Sequence, residues 1–145
     1  MQLNRCPVCH NRIGLENLVQ DEAGREVMAR IASLDTATGS ALVSYIGLFR
    51  AAQRDLAMDR ALKLINETLA IESVQWLTPA LQETVEQLQQ QRAQGEVRPL
   101  KNHNYLQKVL TSVRARGVRY TPQQTAATGY SSAAAAHQRL TDTNW

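Results

Sequence analysis

Two cysteines near the start of the chain form the motif Cys6-Pro-Val-Cys9. Two thiolates at this spacing can grip one Zn²⁺ from a tight turn, and zinc takes four ligands. The chain holds two cysteines and three histidines, so a closed site needs histidines, from His10, His103 or His137, or a second copy of the chain. His10 directly follows Cys9. The motif therefore predicts a zinc knuckle whose candidate ligands are Cys6, Cys9 and His10, with inert thiols or a redox pair as alternatives.

A second group of chemistry-bearing residues lies in the stretch 101–119. Residues 1–100 carry 10 Lys and Arg against 12 Asp and Glu, a net charge of −2, whereas residues 101–119 carry five basic residues and no acid. Lys and Arg bind nucleic-acid phosphates by displacing counterions, and polar or aromatic neighbours add hydrogen bonds and stacking. The predicted nucleic-acid contacts are Lys101, Asn102, His103, Tyr105, Lys108, Arg114, Arg116 and Arg119.

The same stretch predicts a helix, because its apolar residues recur at i, i+3, i+4 and i+7. These residues are Leu106, Val109, Leu110 and Val113. The charges also have an alternative interpretation, in which they stabilise the end of the helix. Arg114 and Arg116 stand just before Gly117, and cations at a helix C-terminus complement the helix dipole.

Helical periodicity recurs along most of the chain, and no alternating run is long enough for a sheet core. Aromatic residues make up 5% of the sequence, while Leu, Ala, Gln and Arg are common, as in packed helices. We expect an all-α fold of about five helices in a compact bundle. The predicted organisation is a knuckle over residues 1–14, a helical domain over 15–117 and a flexible tail over 118–145.

Local signals place several helix boundaries. Asp35 with Thr36 predicts an N-cap, and Gly24 predicts a break between two shorter helices. Thr78 followed by Pro79 predicts another helix start, since proline suits the first helical position. A second interpretation takes residues 96–98 and 118–121 as two short strands that form a small wing.

The last part of the chain is rich in Thr, Ala, Gln and Ser and poor in large apolar residues. Such a segment buries too little surface to offset its ordering entropy, which is why we expect a flexible tail. Its terminal Trp145 could dock in a pocket of a partner, or could simply be the chain end.

Several classes of protein are disfavoured. No apolar run reaches the length of a membrane span, and the N-terminus lacks the apolar centre of a signal peptide, so we expect a cytoplasmic protein without membrane contact. A disulfide between two cysteines three positions apart cannot connect distant parts of a domain. No phosphate-binding Gly-rich loop is present, and the three histidines are scattered, so we predict that the protein is not an enzyme.

Blocks of the sequence resemble small proteins of phage and prophage replication modules of Gram-negative bacteria. The blocks are CPVC followed by IGLENLVQDEAGREVM, then LVSYIGLFRAAQRDLAMDRALKL, and later RPLKNHNYLQKVL. The resemblance covers residues 5–117 and implies an accessory role beside DNA replication, such as passive assistance to a replicative helicase. The Cys-Pro-x-Cys loop is similar to the zinc hook of DNA-repair ATPases, in which loops from two chains share one ion. That similarity implies a homodimer through a shared zinc.

Two functions follow as hypotheses. The first is a non-enzymatic, phage-type replication accessory protein that contacts nucleic acid through the basic helix. The alternative is a protein-protein adaptor or inhibitor that acts on a host replication or defence protein and binds no nucleic acid, its basic helix meeting an acidic surface.

Overall fold

The computed structural model describes residues 2–5, 12–95 and 98–122, which form two short strands and six helices. The elements in chain order are β1 (Gln2–Arg5), β2 (Arg12–Gly14), α1 (Leu15–Gln20), α2 (Glu22–Ala32), α3 (Thr36–Gly47), α4 (Met58–Ile71), α5 (Val74–Ala93) and α6 (Asn104–Arg116). The mainly helical fold is confirmed. The first helix is a short one, and five longer helices follow it.

A two-stranded antiparallel ribbon precedes the helices, and the all-α prediction missed it. In this ribbon Arg5 pairs with Arg12 and Gln2 with Gly14, with an irregularity between Gln2 and Asn4. Strands of four and three residues are too short to show a period of two, so the sequence pattern could not reveal them. The predicted zinc ligands Cys6, Cys9 and His10 lie in the connection between the strands, outside the described residues.

One helix starts at a predicted cap, and another starts close to a predicted helix break. The Asp35 carboxylate accepts the Thr38 backbone N–H at 3.2 Å and begins α3. The predicted break near Gly24 falls at Asp21, whose carboxylate accepts the Gly24 backbone N–H at 3.3 Å. The Arg25 guanidinium then donates to the Val19 carbonyl at 2.9 Å, which satisfies an unpaired carbonyl at the end of α1.

Pro79 does not begin a helix, and that prediction was wrong. It lies inside α5, which starts at Val74. A proline has no N–H, so it leaves the carbonyl four residues earlier without its intrahelical donor. That carbonyl belongs to Gln75, and it accepts the backbone N–H of Tyr120 at 2.8 Å. A contact from outside the helix thus satisfies the group that the proline orphans.

The core lies between α3, α5 and α6, with α4 packed alongside. Leu42, Leu77, Leu81 and Leu106 are fully buried. Burial of each such side chain contributes about 1.5–3 kcal/mol. The predicted apolar stripe of α6 is confirmed, because Leu106, Val109, Leu110 and Val113 are all buried in this core.

The chain continues past α6 as an ordered strap, residues 118–122. Gly117 adopts a left-handed conformation with φ 69°, and the N–H groups of Gly117 and Val118 return to the carbonyls of Arg114 and Val113. This pair of backbone hydrogen bonds is typical of helix ends, and the left-handed conformation that it requires favours glycine. The Tyr120 hydroxyl then donates to the Asp35 carboxylate at 2.6 Å. Residues 118–122 thus contact the helical body at the point where we expected a flexible tail to begin. The tail stays a prediction for residues 123–145, including Trp145, which lie outside the described residues.

No strand is formed by residues 98–100 or 118–122, so the interpretation of these segments as a wing is not supported where the structure describes them. The structure contains, within its described ranges, no helix with the length and apolar character needed to cross a membrane.

Candidate anion-binding surface

The predicted basic helix does lie at the surface, but three of its five cations are engaged within the molecule. Arg114 pairs with Glu72 at 3.0 Å and Arg116 with Glu83 at 2.5 Å. The arginine side chains remain about half exposed, at 55% and 50%. Such pairs contribute only about 0–1 kcal/mol each, yet they neutralise two of the five positive charges that a polyanion would meet.

Arg119 is held by an aromatic ring instead of a carboxylate. Its guanidinium carbon lies 4.7 Å from the ring centroid of Trp76 on α5. This is the geometry of a cation–π contact. Together with the Tyr120 hydrogen bonds, the contact fastens the strap to the start of α5.

The polar residues predicted to assist nucleic-acid binding have structural partners. The Asn102 side-chain oxygen accepts the backbone N–H of Asn104 at 3.1 Å, at the first turn of α6. The Tyr105 hydroxyl donates to the Gln87 side chain on α5 at 2.7 Å. The first interaction caps the start of α6 and the second positions α6 against α5, which explains these residues without a ligand.

His103 is mostly buried and joins a chain of three polar side chains. Its Nδ1 lies 2.8 Å from the Tyr45 hydroxyl and its Nε2 lies 3.3 Å from a Glu67 carboxylate oxygen. Because a carboxylate can only accept, a neutral imidazole here donates from Nε2 to Glu67 and accepts the Tyr45 proton at Nδ1. The ring also contacts Phe49, with centroids 5.3 Å apart.

The Glu67–His103–Tyr45 chain resembles a catalytic relay in its order of groups, but its terminal hydroxyl is inaccessible. Tyr45 is 0% exposed, and burial raises the pKa of its phenol far above the usual range. A nucleophile or base must reach a substrate atom. The chain therefore serves to satisfy a buried hydroxyl at the junction of α3, α4 and α6. Sequence reasoning missed this role, because it had assigned His103 to nucleic acid or to zinc.

Two predicted cations, Lys101 and Lys108, have no carboxylate partner in the part of the chain that the structure describes. Arg98, which the prediction had left out, is likewise exposed and without a partner there. We call Arg98, Lys101 and Lys108 the basic edge. It runs from the connector after α5 to the first half of α6. The signal that could have found it is the sequence from Arg92 to Lys108, where four basic residues accompany one acid, Glu96.

A pocket of about 220 Å³ adjoins the basic edge. It is bounded by the end of α5 and by the connector that follows it. The lining residues are Leu88, Gln91, Arg92, Arg98, Pro99, Leu100 and Lys101. Among these described lining residues, three side chains are cationic and none is acidic.

The surface at α3 differs from the basic edge because it is largely apolar. The 12 residues of α3 include no charged side chain, and Val43 on this helix is 50% exposed. A groove of about 450 Å³ lies between α2 and α3, with Ile31, Leu34 and Val43 among its lining residues. An apolar groove of this kind is a typical place for a partner helix or loop.

The metal prediction stays a prediction, since its ligands Cys6, Cys9 and His10 lie outside the described residues. His103, considered as an additional ligand, already uses both ring nitrogens in hydrogen bonds. Among described residues no cluster of three or more His, Cys, Asp or Glu could hold an ion.

Comparison with known proteins identifies the family. The model of the HI_1489_N family, described as an N-terminal domain, matches residues 1–102. The chain belongs to the HI_1489_N family. An uncharacterized protein of Haemophilus influenzae (strain ATCC 51907 / DSM 11121 / KW20 / Rd) is 42% identical over 115 residues, which is 75% of this chain. The chain spans 62% of that relative's length. No solved structure matches.

The HI_1489_N domain ends at residue 102, immediately before α6. In the structure, however, α6 packs on α5 and contributes Leu106 and Val113 to the fully buried core. The HI_1489_N segment and α6 thus form one packed body in this protein. The basic edge crosses the family boundary, with Arg98 and Lys101 inside it and Lys108 beyond it.

Proposed function

We propose that this protein is a non-enzymatic accessory protein that contacts the phosphates of a nucleic acid through the basic edge, in a phage-type replication setting. The observation that carries the proposal is that Arg98, Lys101 and Lys108 have no carboxylate partner among the residues that the structure describes. Unpaired surface cations bind phosphates without first breaking an internal ion pair. The resemblance of residues 5–117 to phage replication-module proteins supports the setting.

The proposal moves the contact surface from the C-terminal end of α6 to its N-terminal side. The side chains of Arg114, Arg116 and Arg119 have partners within the molecule and are not assigned to phosphate. The absence of catalysis is part of the proposal. Its support is that the Glu67–His103–Tyr45 chain ends on a hydroxyl that no substrate can reach.

Binding to labelled single- and double-stranded oligonucleotides tests this assignment, because it can compare variants of the basic edge with variants at the other end of α6. The variant Arg98→Gln/Lys101→Gln/Lys108→Gln removes the basic edge. We expect its binding to weaken by about tenfold or more. The slope of the logarithm of the binding constant against the logarithm of the salt concentration should fall by the amount expected for about three phosphate contacts. The matched control Glu72→Gln/Glu83→Gln/Arg114→Gln/Arg116→Gln keeps the net charge and should bind as the native protein does.

Circular dichroism of both variants checks that the helices are intact. Equal binding by the native protein and the basic-edge variant would contradict the proposal. So would a larger loss in the matched control than in the basic-edge variant.

A protein-protein adaptor is the second candidate, and the uncharged α3 with its groove favours it. A photo-crosslinking amino acid at Val43 should yield one discrete crosslinked protein in cells, unaffected by nuclease, with the same probe at exposed Thr111 as the control. Ser40→Arg, which places a long charged side chain at the groove rim, should abolish that product. A host replication or defence protein is the proposed class of partner. The candidate fails if positions 43 and 111 give the same products.

A further inference from the structure

We propose that the pocket formed by Arg92, Arg98 and Lys101 is a discrete binding site for a single phosphate group, as a phosphomonoester or phosphodiester. The inference deepens the proposed function, because it names the chemistry of one site that combines Arg92 with two residues of the basic edge. It does not depend on that function being right, since a small phosphorylated molecule would fit the same groups.

Arg92 is the fixed element of the pocket. Its Nη2 donates to the Leu48 carbonyl at 2.8 Å and to the Arg98 carbonyl at 3.4 Å. These bonds hold the planar guanidinium in one orientation against the connector. In the described part of the structure Nε and Nη1 of Arg92 have no partner. An arginine that is already oriented loses less side-chain entropy when it binds an oxyanion.

The connector is also held in place. The backbone N–H of Leu100 donates to the Leu48 carbonyl at 3.0 Å, so that one carbonyl anchors both Arg92 and the connector. Pro99 adds a fixed φ angle immediately before Leu100. Arg98 and Lys101 therefore extend from a segment whose backbone is positioned on both sides of the proline.

Competing acceptors around the pocket are occupied. The carbonyls of Gln91 and Arg92 at the end of α5 accept the N–H groups of Gln94 and Gly95, and the Leu48 carbonyl is used as just described. Among the described residues, no carboxylate lines the pocket. The described lining thus brings three cations to one pocket, and an anion that enters it would reduce their mutual repulsion.

Phosphate is the anion that this set fits best. Arginine presents a planar fork that matches two phosphate oxygens, and lysine adds a point charge. The Gln91 amide supplies a further neutral donor at the rim. The apolar neighbours Leu88 and Leu100 exclude water from one side, and this strengthens the charge-assisted hydrogen bonds.

Titration of the full-length protein with inorganic phosphate tests the site, with chloride at equal ionic strength as the blank. Amide signals of Leu100 and Lys101 in a nitrogen–proton correlation spectrum should shift and saturate. Arg98→Gln/Lys101→Gln should weaken this binding by about tenfold, the loss expected for charged hydrogen bonds. Both side chains are exposed and have no partner among the described residues, so the fold should be unchanged.

Arg54→Gln/Arg60→Gln is the matched control, because it removes two exposed arginines that have no partner in the described structure and lie outside the pocket lining. It should bind phosphate as the native protein does. Shifts that do not saturate, or equal weakening in both double variants, would overturn the inference.

Competition distinguishes the sources of the phosphate. Displacement of inorganic phosphate by a short oligonucleotide indicates a nucleic-acid phosphate, and displacement by glycerol phosphate but not by the oligonucleotide indicates a small phosphorylated molecule. Either result supports the site. Saturable phosphate binding in a protein that binds no oligonucleotide would overturn the proposed nucleic-acid function and leave this inference standing. Oligonucleotide binding without saturable phosphate binding would overturn this inference and leave the proposed nucleic-acid function standing.

Discussion

The backbone N–H of Tyr120 donates to the carbonyl of Gln75 at 2.8 Å, the carbonyl that Pro79 leaves without an intrahelical donor. This bond links the strap after α6 to the first turn of α5. It is reinforced on one side by Arg119 over Trp76 and on the other by the Tyr120 hydroxyl on Asp35. A proline inside a helix thus creates the acceptor that orders a distant segment of the chain.

Pro79→Ala should loosen the strap. The alanine supplies an N–H that competes for the Gln75 carbonyl, while the helix itself gains from better propensity, by up to about 3 kcal/mol in a helix interior. Hydrogen exchange of the Tyr120 amide should therefore become faster even if the protein as a whole becomes more stable. Ala80→Gly, a neighbouring change that adds no donor at position 79, serves as the control. Unchanged protection of Tyr120 would show that Gln75 accepts both groups.

Tyr120→Phe should lower the midpoint of thermal unfolding and flatten its dependence on pH at both extremes. Burial acts to raise the pKa of Asp35, but hydrogen bonds from Thr38 and Tyr120 outweigh it and lower that pKa. Asp35 therefore stabilises the fold above its unfolded pKa of about 3.9, and this contribution is lost as the pH falls through the lowered folded value.

The hydrogen bond to Asp35 raises the pKa of the Tyr120 phenol. Its contribution is complete below the unfolded pKa of about 10 and is lost as the pH rises through the folded value. Thermal melts of native and Tyr120→Phe protein across the pH range measure both effects. Parallel curves for the two proteins at every pH would refute the coupling.

His103→Phe should destabilise the protein by about 1–3 kcal/mol, because it keeps a ring beside Phe49 but leaves the buried Tyr45 hydroxyl without a partner. Tyr45→Phe in the same background removes the orphaned group. The double variant should thus be less destabilised than the sum of the two single variants. Urea unfolding of all four proteins gives this double-mutant cycle. Additive losses would mean that His103 acts by packing alone.

The zinc knuckle predicts about half an ion per chain if two chains share the metal, and about one per chain if His10 completes a site within one chain. Metal analysis combined with native mass spectrometry of freshly reduced protein distinguishes these outcomes. Cys9→Ser should remove the metal and, in the shared arrangement, the dimer. Freshly reduced protein without zinc would refute both arrangements.

The sequence alone determined the features that depend on neighbouring residues. The stripe from Leu106 to Val113, the cap at Asp35 and the helix end at Gly117 follow from helical periodicity, side-chain capping and glycine's access to positive φ. Each of these is decided within about one or two turns of chain, where the spacing of residue types is sufficient information. The two short strands were not predicted, because they are shorter than the run of alternating apolar and polar residues that would indicate a strand.

Only the tertiary structure decided which charges are available. The sequence does not distinguish the paired cations, Arg114, Arg116 and Arg119, from Lys101 and Lys108. The partners of the first three are Glu72, Glu83 and Trp76, which lie after α4 or on α5. The order of Tyr120 likewise depends on Asp35 and Gln75, which lie far away along the chain. An ion pair or hydrogen bond between distant segments forms only after packing brings them together, so no local pattern specifies it.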